Sequence, residues 1–260
     1  MDFGLRDKVA LVTGGSRGLG KAICLELAAE GCKVGVNYFR NADRSVDLVG
    51  EAAAVVEEIE KTYGVAALAV PGDVAKEVDV LEMFRLMEEK FARVDVLVNN
   101  AAVCPTCPVK DMSLAMWKST LDVNLDGTFL ASREFIRRLL AAGRPGKIVN
   151  IASQAAFRGS TTGHAPYDAS KGGIVSFTVA LAREVSAQGI NVNAVAPGMI
   201  LTEMTRGTID RNKEKYLARI PLGRIAEPAE VAKVTVFLAS EAASYMTGAT
   251  VDVSGGMLMR

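Results

Sequence analysis

The 260-residue chain has one histidine, one tryptophan and four cysteines, and it has no net charge, with Lys+Arg 30 against Asp+Glu 30. Four thiols in a chain this long do not make the disulfide framework of a small secreted domain. Zinc takes about four ligands, and beside the lone C-x-x-C pair the chain has only one histidine, so no metal is expected. The balanced charge lacks the basic surplus of a nucleic-acid-binding surface. No apolar run approaches the roughly 18 residues that read as a membrane span. Asp2, Arg6 and Lys8 interrupt the early apolar residues, so no signal peptide is expected and the placement is cytoplasmic. Half of the residues are hydrophobic, which excludes disorder as the main state and supplies a large core.

Short β-branched runs alternate with longer helical patterns. Residues 8–13, 33–38, 66–70, 95–100, 147–153, 190–198 and 249–256 read as strands. Residues 18–30, 46–63, 78–91, 114–142, 167–188 and 227–239 read as helices, with weak propensity near 124–127 and with Pro228 suited to a first turn. This alternation predicts an α/β doubly wound parallel sheet of about seven strands with helices on both faces. No linker or internal repeat divides the chain, so residues 1–260 read as one domain. Residues 198–224 break the alternation with mixed charge. They read as a substrate lid, with Met199, Ile200 and Met204 as its apolar inner side.

The segment TGGSRGLG lies between the first strand and the first helix. Its glycines at 14, 18 and 20 follow G-x-x-x-G-x-G. Gly14 makes a tight turn, Gly18 admits a pyrophosphate to the backbone, and Gly20 lets the helix approach the sheet. The helix N-terminus then offers free N–H groups to phosphate. Strand, loop and helix together indicate a dinucleotide on a Rossmann-type fold, touched also by Ser16, Arg17 and Leu19. The second strand ends in Asn37, Tyr38, Phe39 and Arg40, where an NAD site usually carries an acid for the ribose. Asp43, the nearest acid, lies past the strand. Arg17 and Arg40 instead suit a 2′-phosphate, so NADP is expected, with NAD the lesser choice.

Tyr167 and Lys171 are four residues apart on one helix and share a face. Tyrosine ionises near 10 and acts as a base only when a cation lowers that value, a role open to Lys171. Ser153 ends the preceding strand and can hold a substrate oxygen. Joined to the glycine loop, this trio resembles the short-chain dehydrogenase/reductase family over nearly the whole chain. Asp73 and Val74 resemble the family's adenine-contacting pair. NNAA at 99–102 is similar to its N-N-A-G motif, bringing Asn100 and Ala101 to the cofactor, with Ala102 in place of glycine. Asn124 matches the catalytic asparagine that holds a water linking lysine to solvent. Ser153, Tyr167 and Lys171 match the active-site trio, and tyrosine and lysine also meet the cofactor. Pro197, Gly198, Ile200 and Thr202 resemble the nicotinamide-side turn.

The resemblance implies hydride transfer between NADP(H) and a ketone or secondary alcohol. A carbonyl reductase or alcohol dehydrogenase leads. A 3-oxoacyl-carrier-protein reductase and a glucose-type sugar dehydrogenase follow. Where the carrier-protein reductases have two recognition arginines, this chain has Leu130 and Gln188. A non-catalytic nucleotide sensor or a methyltransferase would have no use for the complete Asn–Ser–Tyr–Lys set. The resemblance also implies a homotetramer paired through the long helices and the C-terminal strand region, with Met257, Leu258 and Met259 against a neighbour. Cys104 and Cys107 flank prolines in a loop and read as pocket lining, not as a redox pair. Cys24 and Cys32 read as buried. His164 reads as structural, with substrate contact as the alternative. Arg158 reads as a solvated arginine.

Overall fold

The structure is a computed structural model that describes residues 3–41, 45–160 and 163–259; Asp43 lies outside these. Seven strands form one parallel sheet: β1 (Val9–Val12), β2 (Lys33–Tyr38), β3 (Ala67–Pro71), β4 (Val96–Asn99), β5 (Gly146–Ile151), β6 (Ile190–Pro197) and β7 (Thr250–Val253). Their order is β3-β2-β1-β4-β5-β6-β7. The chain leaves β1 in one direction for β2 and returns to the other side for β4. The cleft past the carboxyl ends of β1 and β4 is therefore the topological switch point, where open α/β sheets bind ligands. β1 and β4 are buried along their whole lengths, as a strand covered by helices on both faces must be.

On one face, α1 (Gly18–Ala29), α2 (Val49–Tyr63) and α9 (Pro228–Ala239) cover the sheet with Ile23, Leu27, Val55, Val231 and Val236. On the other face lie α3 (Glu77–Phe91), α5 (Gly127–Ala142) and α7 (Ala165–Val185), which contribute Phe84, Phe135, Leu139 and Leu181. The Phe84 and Phe135 rings meet at 6.4 Å between centroids. α2 starts at Val49, so it does not include 46–48. α2 ends in left-handed Gly64 and α5 in left-handed Gly143, the usual stop for a helix. α3 ends with Ala92 in the same conformation, which costs a residue with a Cβ on the order of 1 kcal/mol.

The helical region 114–142 is two helices, α4 (Leu114–Leu121) and α5, joined by a π-helical turn over Asp122–Asp126. Its weak propensity near 124–127 marks this turn. A π turn inserts one extra residue and often sits at a functional site; here it carries Asn124. Two helices were not legible. α6 (Ala155–Arg158) follows β5, and α8 (Glu203–Leu217) occupies most of 198–224. α8 is polar, with Ile209 its one buried residue, so it shows little apolar periodicity.

Three expectations change. Met204 is 59% exposed and does not face inward, whereas Ile200 is buried and packs with the core. Met257 and Leu258 are buried within their own chain, and only Met259 is exposed. Arg158 is exposed, but it donates to the Met257 carbonyl and so ties down the C-terminal segment.

Candidate active site

The glycine loop is held from both sides by buried or half-buried amides. The Gly14 N–H donates to Asn37 Oδ1 at 3.0 Å, and the Gly15 N–H donates to the Asn37 carbonyl at 2.7 Å. Asn37 Nδ2 donates to the carbonyls of Val70 and Gly72, both at 3.1 Å. From the other side, Asn100 Nδ2 donates to the carbonyls of Thr13 (2.9 Å) and Gly14 (3.1 Å). Thr13 Oγ1 accepts from the N–H groups of Asn100 and Ala101. Gly14 and Gly18 both have positive φ. A Cβ on Gly20 would lie 2.1 Å from the Gly14 carbonyl oxygen and 2.6 Å from Asn100 Nδ2. Only glycine fits there.

This loop suits a pyrophosphate. α1 begins at Gly18 with no side-chain cap and no acid in its first turn, so its leading N–H groups keep their donor capacity for an anion. Asn37 and Tyr38 are buried, and the Asn37 amide is fully engaged in the clamp. Contact from these two residues to a dinucleotide would run through the backbone. Phe39 and Arg17 are exposed and Arg40 is half-buried. Neither arginine makes an ion pair among the described residues. Asp73 Oδ1 caps the Ala75 N–H at 3.1 Å, and Val74 packs where a Cβ on Gly127 would be. Ala102 does not have positive φ, so its methyl is accepted without backbone strain. Gly198 donates to the Val253 carbonyl at 3.1 Å. Thr202 caps α8 together with Thr205, and the first turn of α8 lies against Gly18.

Beyond β5 the structure brings Ser153, Tyr167 and Lys171 together. Ser153 lies near enough to the Tyr167 hydroxyl to lower its ionisation, and Lys171 Nζ lies 5.6 Å from the centre of the Tyr167 ring. Lys171 is buried and donates to the Ile151 carbonyl at 2.6 Å. It makes no ion pair among the described residues. Burial therefore pulls its ammonium down to about 8. The residue Tyr167 keeps some open surface while its hydroxyl is desolvated. Burial pushes this hydroxyl above its ordinary range, Cys104 and Asp168 push the same way, and Ser153 pulls it back. This reverses the direction expected from a neighbouring lysine. Desolvation is the largest effect on the hydroxyl, and the one opposing pull comes from Ser153.

Asn124 reaches α7 through Ser170. Its Nδ2 donates to Ser170 Oγ (3.0 Å) and to the Val103 carbonyl (3.0 Å), and its Oδ1 accepts from the Val103 N–H (2.8 Å). Ser170 Oγ donates in turn to the Tyr167 carbonyl at 2.7 Å. No direct bond runs from the Asn124 side chain to Lys171. Thr13 and Ser170 were not singled out in the sequence. Each is a single hydroxyl beside a motif residue, and only the fold shows what it bonds. Cys104 is half-buried and its thiol is pushed up to about 11 by burial; it borders the site with His164, as a pocket-lining residue would.

A doubly wound sheet with a clamped glycine loop at its switch point, and a tyrosine beside a buried lysine next to it, defines a nicotinamide-dependent oxidoreductase. A family model described as enoyl-(acyl carrier protein) reductase matches residues 14–258. A Synechocystis 3-oxoacyl-[acyl-carrier-protein] reductase is 43% identical over 98% of both chains. An Aquifex aeolicus protein of the same name is 41% identical over 99% of this chain and 100% of its own. The solved structure of a protein from Agrobacterium tumefaciens, provisionally named gluconate dehydrogenase, superimposes with a TM-score of 0.91 at 36% identity, covering 100% of this chain and 99% of its own. The chain belongs to the short-chain dehydrogenase/reductase family.

The two buried groups predict a pH dependence of stability. Between pH 8 and 10.5 unfolded Lys171 holds a proton that the folded residue has lost, so its contribution to stability rises with pH. Above about pH 10 folded Tyr167 keeps a proton that the unfolded tyrosine releases, so stability falls. The buried thiols of Cys24 and Cys32 also lower stability above about pH 9, so the readout is a difference. Urea midpoints of wild type and Lys171→Met should diverge between pH 8 and 10.5, with wild type gaining relative to the variant. Parallel curves would contradict the burial of Lys171.

Proposed function

We propose that the protein is an NADP(H)-dependent reductase of ketones whose substrate is a 3-oxoacyl thioester. The observation that carries the reductase reading is the assembly of Ser153, Tyr167 and Lys171 beside the glycine loop. The thioester rests on relatives at 41–43% identity that are named 3-oxoacyl-[acyl-carrier-protein] reductases. These favour the thioester over the general carbonyl reductase or alcohol dehydrogenase that leads on sequence alone. A second reading, a free hydroxy acid, is supported by the structural relative named for gluconate. Leu130 and Gln188 also favour it, since they place no cation where carrier recognition would need one.

Bound nicotinamide supplies or accepts the hydride. Tyr167, held protonated at neutral pH by its surroundings, donates its proton to the carbonyl oxygen in reduction and recovers it in oxidation. Ser153 donates a hydrogen bond to the same oxygen. Lys171 supplies positive charge beneath the tyrosine and reaches the ribose. Asn124 positions α7 through Ser170 and so fixes the register of Tyr167. Gly14, Ser16, Gly18, Leu19 and Gly20 hold the pyrophosphate, Asp73 and Val74 the adenine side, Asn100, Ala101 and Ala102 the ribose side, and Pro197, Gly198, Ile200 and Thr202 the carboxamide side. Arg17 and Arg40 receive the 2′-phosphate. The exposed Phe129 and Val179, on α5 and α7, pair copies of the chain into a homotetramer; sedimentation as a monomer at micromolar concentration would exclude it.

Tyr167→Phe should lower turnover of acetoacetyl thioesters by about 10²–10⁴, the worth of general acid catalysis, while NADPH still binds. Near wild-type turnover would refute the role of Tyr167. Arg40→Asp should weaken NADPH binding by about 1–3 kcal/mol through loss of a charged hydrogen bond, with NADH little changed. Equal affinity of wild type for NADH and NADPH would refute the arginine reading.

A further inference from the structure

The site described so far leaves one charged cleft unexplained. It has a volume of about 170 Å³ and lies between α8 and the loop after β4. Thr106 and His164 form one wall, and Arg211, Asn212, Lys215 and Arg219 form the other. Among the described residues no carboxylate lines it. The backbone kinks at Asn212, and Arg211 before the kink, Lys215 after it and Arg219 beyond the helix end all line this cleft. Like charges gathered on one cleft repel one another. None of the three makes an ion pair among the described residues, although the chain as a whole is neutral. The acids of α8 thus do not offset the cations on this side.

We propose that this cleft is a subsite for an oxyanion, a carboxylate or a phosphate, carried by the substrate some distance from its carbonyl. The inference rests on the reductase reading of the neighbouring site and names the class of substrate that site accepts. His164 stands three residues before Tyr167, at the start of the same helix. Its Nδ1 lies 3.0 Å from the Pro105 carbonyl oxygen. A carbonyl only accepts, so Nδ1 carries a proton in that contact and the loop is tied to α7. Cys104 Sγ is 3.5 Å from the same nitrogen. Cys104 and His164 therefore separate the cleft from Tyr167, and a substrate with its carbonyl at Tyr167 passes these two side chains to reach the cations. Guanidinium groups match carboxylate and phosphate oxygens in two-pronged hydrogen bonds. A neutral ketone would leave the three positive charges facing one another.

The test uses the double variant Arg211→Gln/Lys215→Gln, which alters two exposed side chains, on protein saturated with NADP+ so that the dinucleotide phosphates are already placed. Coenzyme A and gluconate are titrated by calorimetry. Affinity for at least one should fall about tenfold or more, the worth of one charge-assisted hydrogen bond. A loss confined to coenzyme A identifies phosphate, and one confined to gluconate identifies carboxylate. Unchanged affinity for both overturns the subsite. Turnover then separates this inference from the reading beneath it. On acetoacetyl coenzyme A or gluconate the variant should show a raised KM at similar kcat, with a much smaller change on the neutral acetoacetyl thioester of N-acetylcysteamine. An equal loss on the neutral thioester also overturns the subsite. A wild type that turns over none of the three overturns the reductase reading, while the calorimetry still decides the subsite.

Discussion

Everything at the candidate site depends on one clamp, the pair of asparagine amides that grip the glycine loop. Asn37 takes the Gly14 N–H from the end of β2, and Asn100 takes the Thr13 and Gly14 carbonyls from the end of β4. A buried amide left unpaired would cost on the order of 1–3 kcal/mol. Both amides are satisfied only when β1, β2 and β4 are in register. The loop therefore inherits the rigidity of the sheet. The Gly14 and Gly15 N–H groups are taken by Asn37, while the uncapped start of α1 leaves its leading N–H groups for an anion. Gly20 completes the arrangement, since any side chain there would collide with the Gly14 carbonyl.

The second constraint is the burial of Lys171. A desolvated ammonium whose recorded bond is to a single carbonyl is costly, and no hydrophobic fold would need it. The structure places this cost beside Tyr167, and the π turn that carries Asn124 packs against α7. The extra residue of that turn lets Asn124 reach both Val103 and Ser170. Tyrosine, lysine and asparagine thus come from two helices held in a fixed relation by a hydroxyl, Ser170, that has no chemical part of its own. The electrostatics favour a protonated tyrosine, which suits reduction.

Most of the fold was legible because a fully buried parallel strand is an uninterrupted β-branched run, as in VALV of β1 and KVGVNY of β2. Strand bounds agree with the sequence reading to within one or two residues, except that β7 ends at Val253, three residues before the reading of 256. α8 was not legible, because a helix that buries only Ile209 has no apolar stripe to read. The site residues were legible as a set of motifs, but their partners were not. Thr13 and Ser170 are ordinary hydroxyls until the sheet brings Asn100 and Asn124 to them. Tyr167 shows the limit most clearly. Four-residue spacing correctly put it beside Lys171, yet the direction in which its ionisation shifts depends on burial, which spacing does not encode.

On the reading proposed above, the clamped loop and the Ser–Tyr–Lys group serve one hydride transfer to a carbonyl carbon. The direct measurement is turnover of an acetoacetyl thioester with NADPH deuterated at the transferring position of the nicotinamide ring, followed by mass analysis of the product. The expected result is one deuterium on the new carbinol carbon for each NADPH consumed, on one face of that carbon. Product without deuterium, or NADPH consumed without alcohol formed, would contradict it.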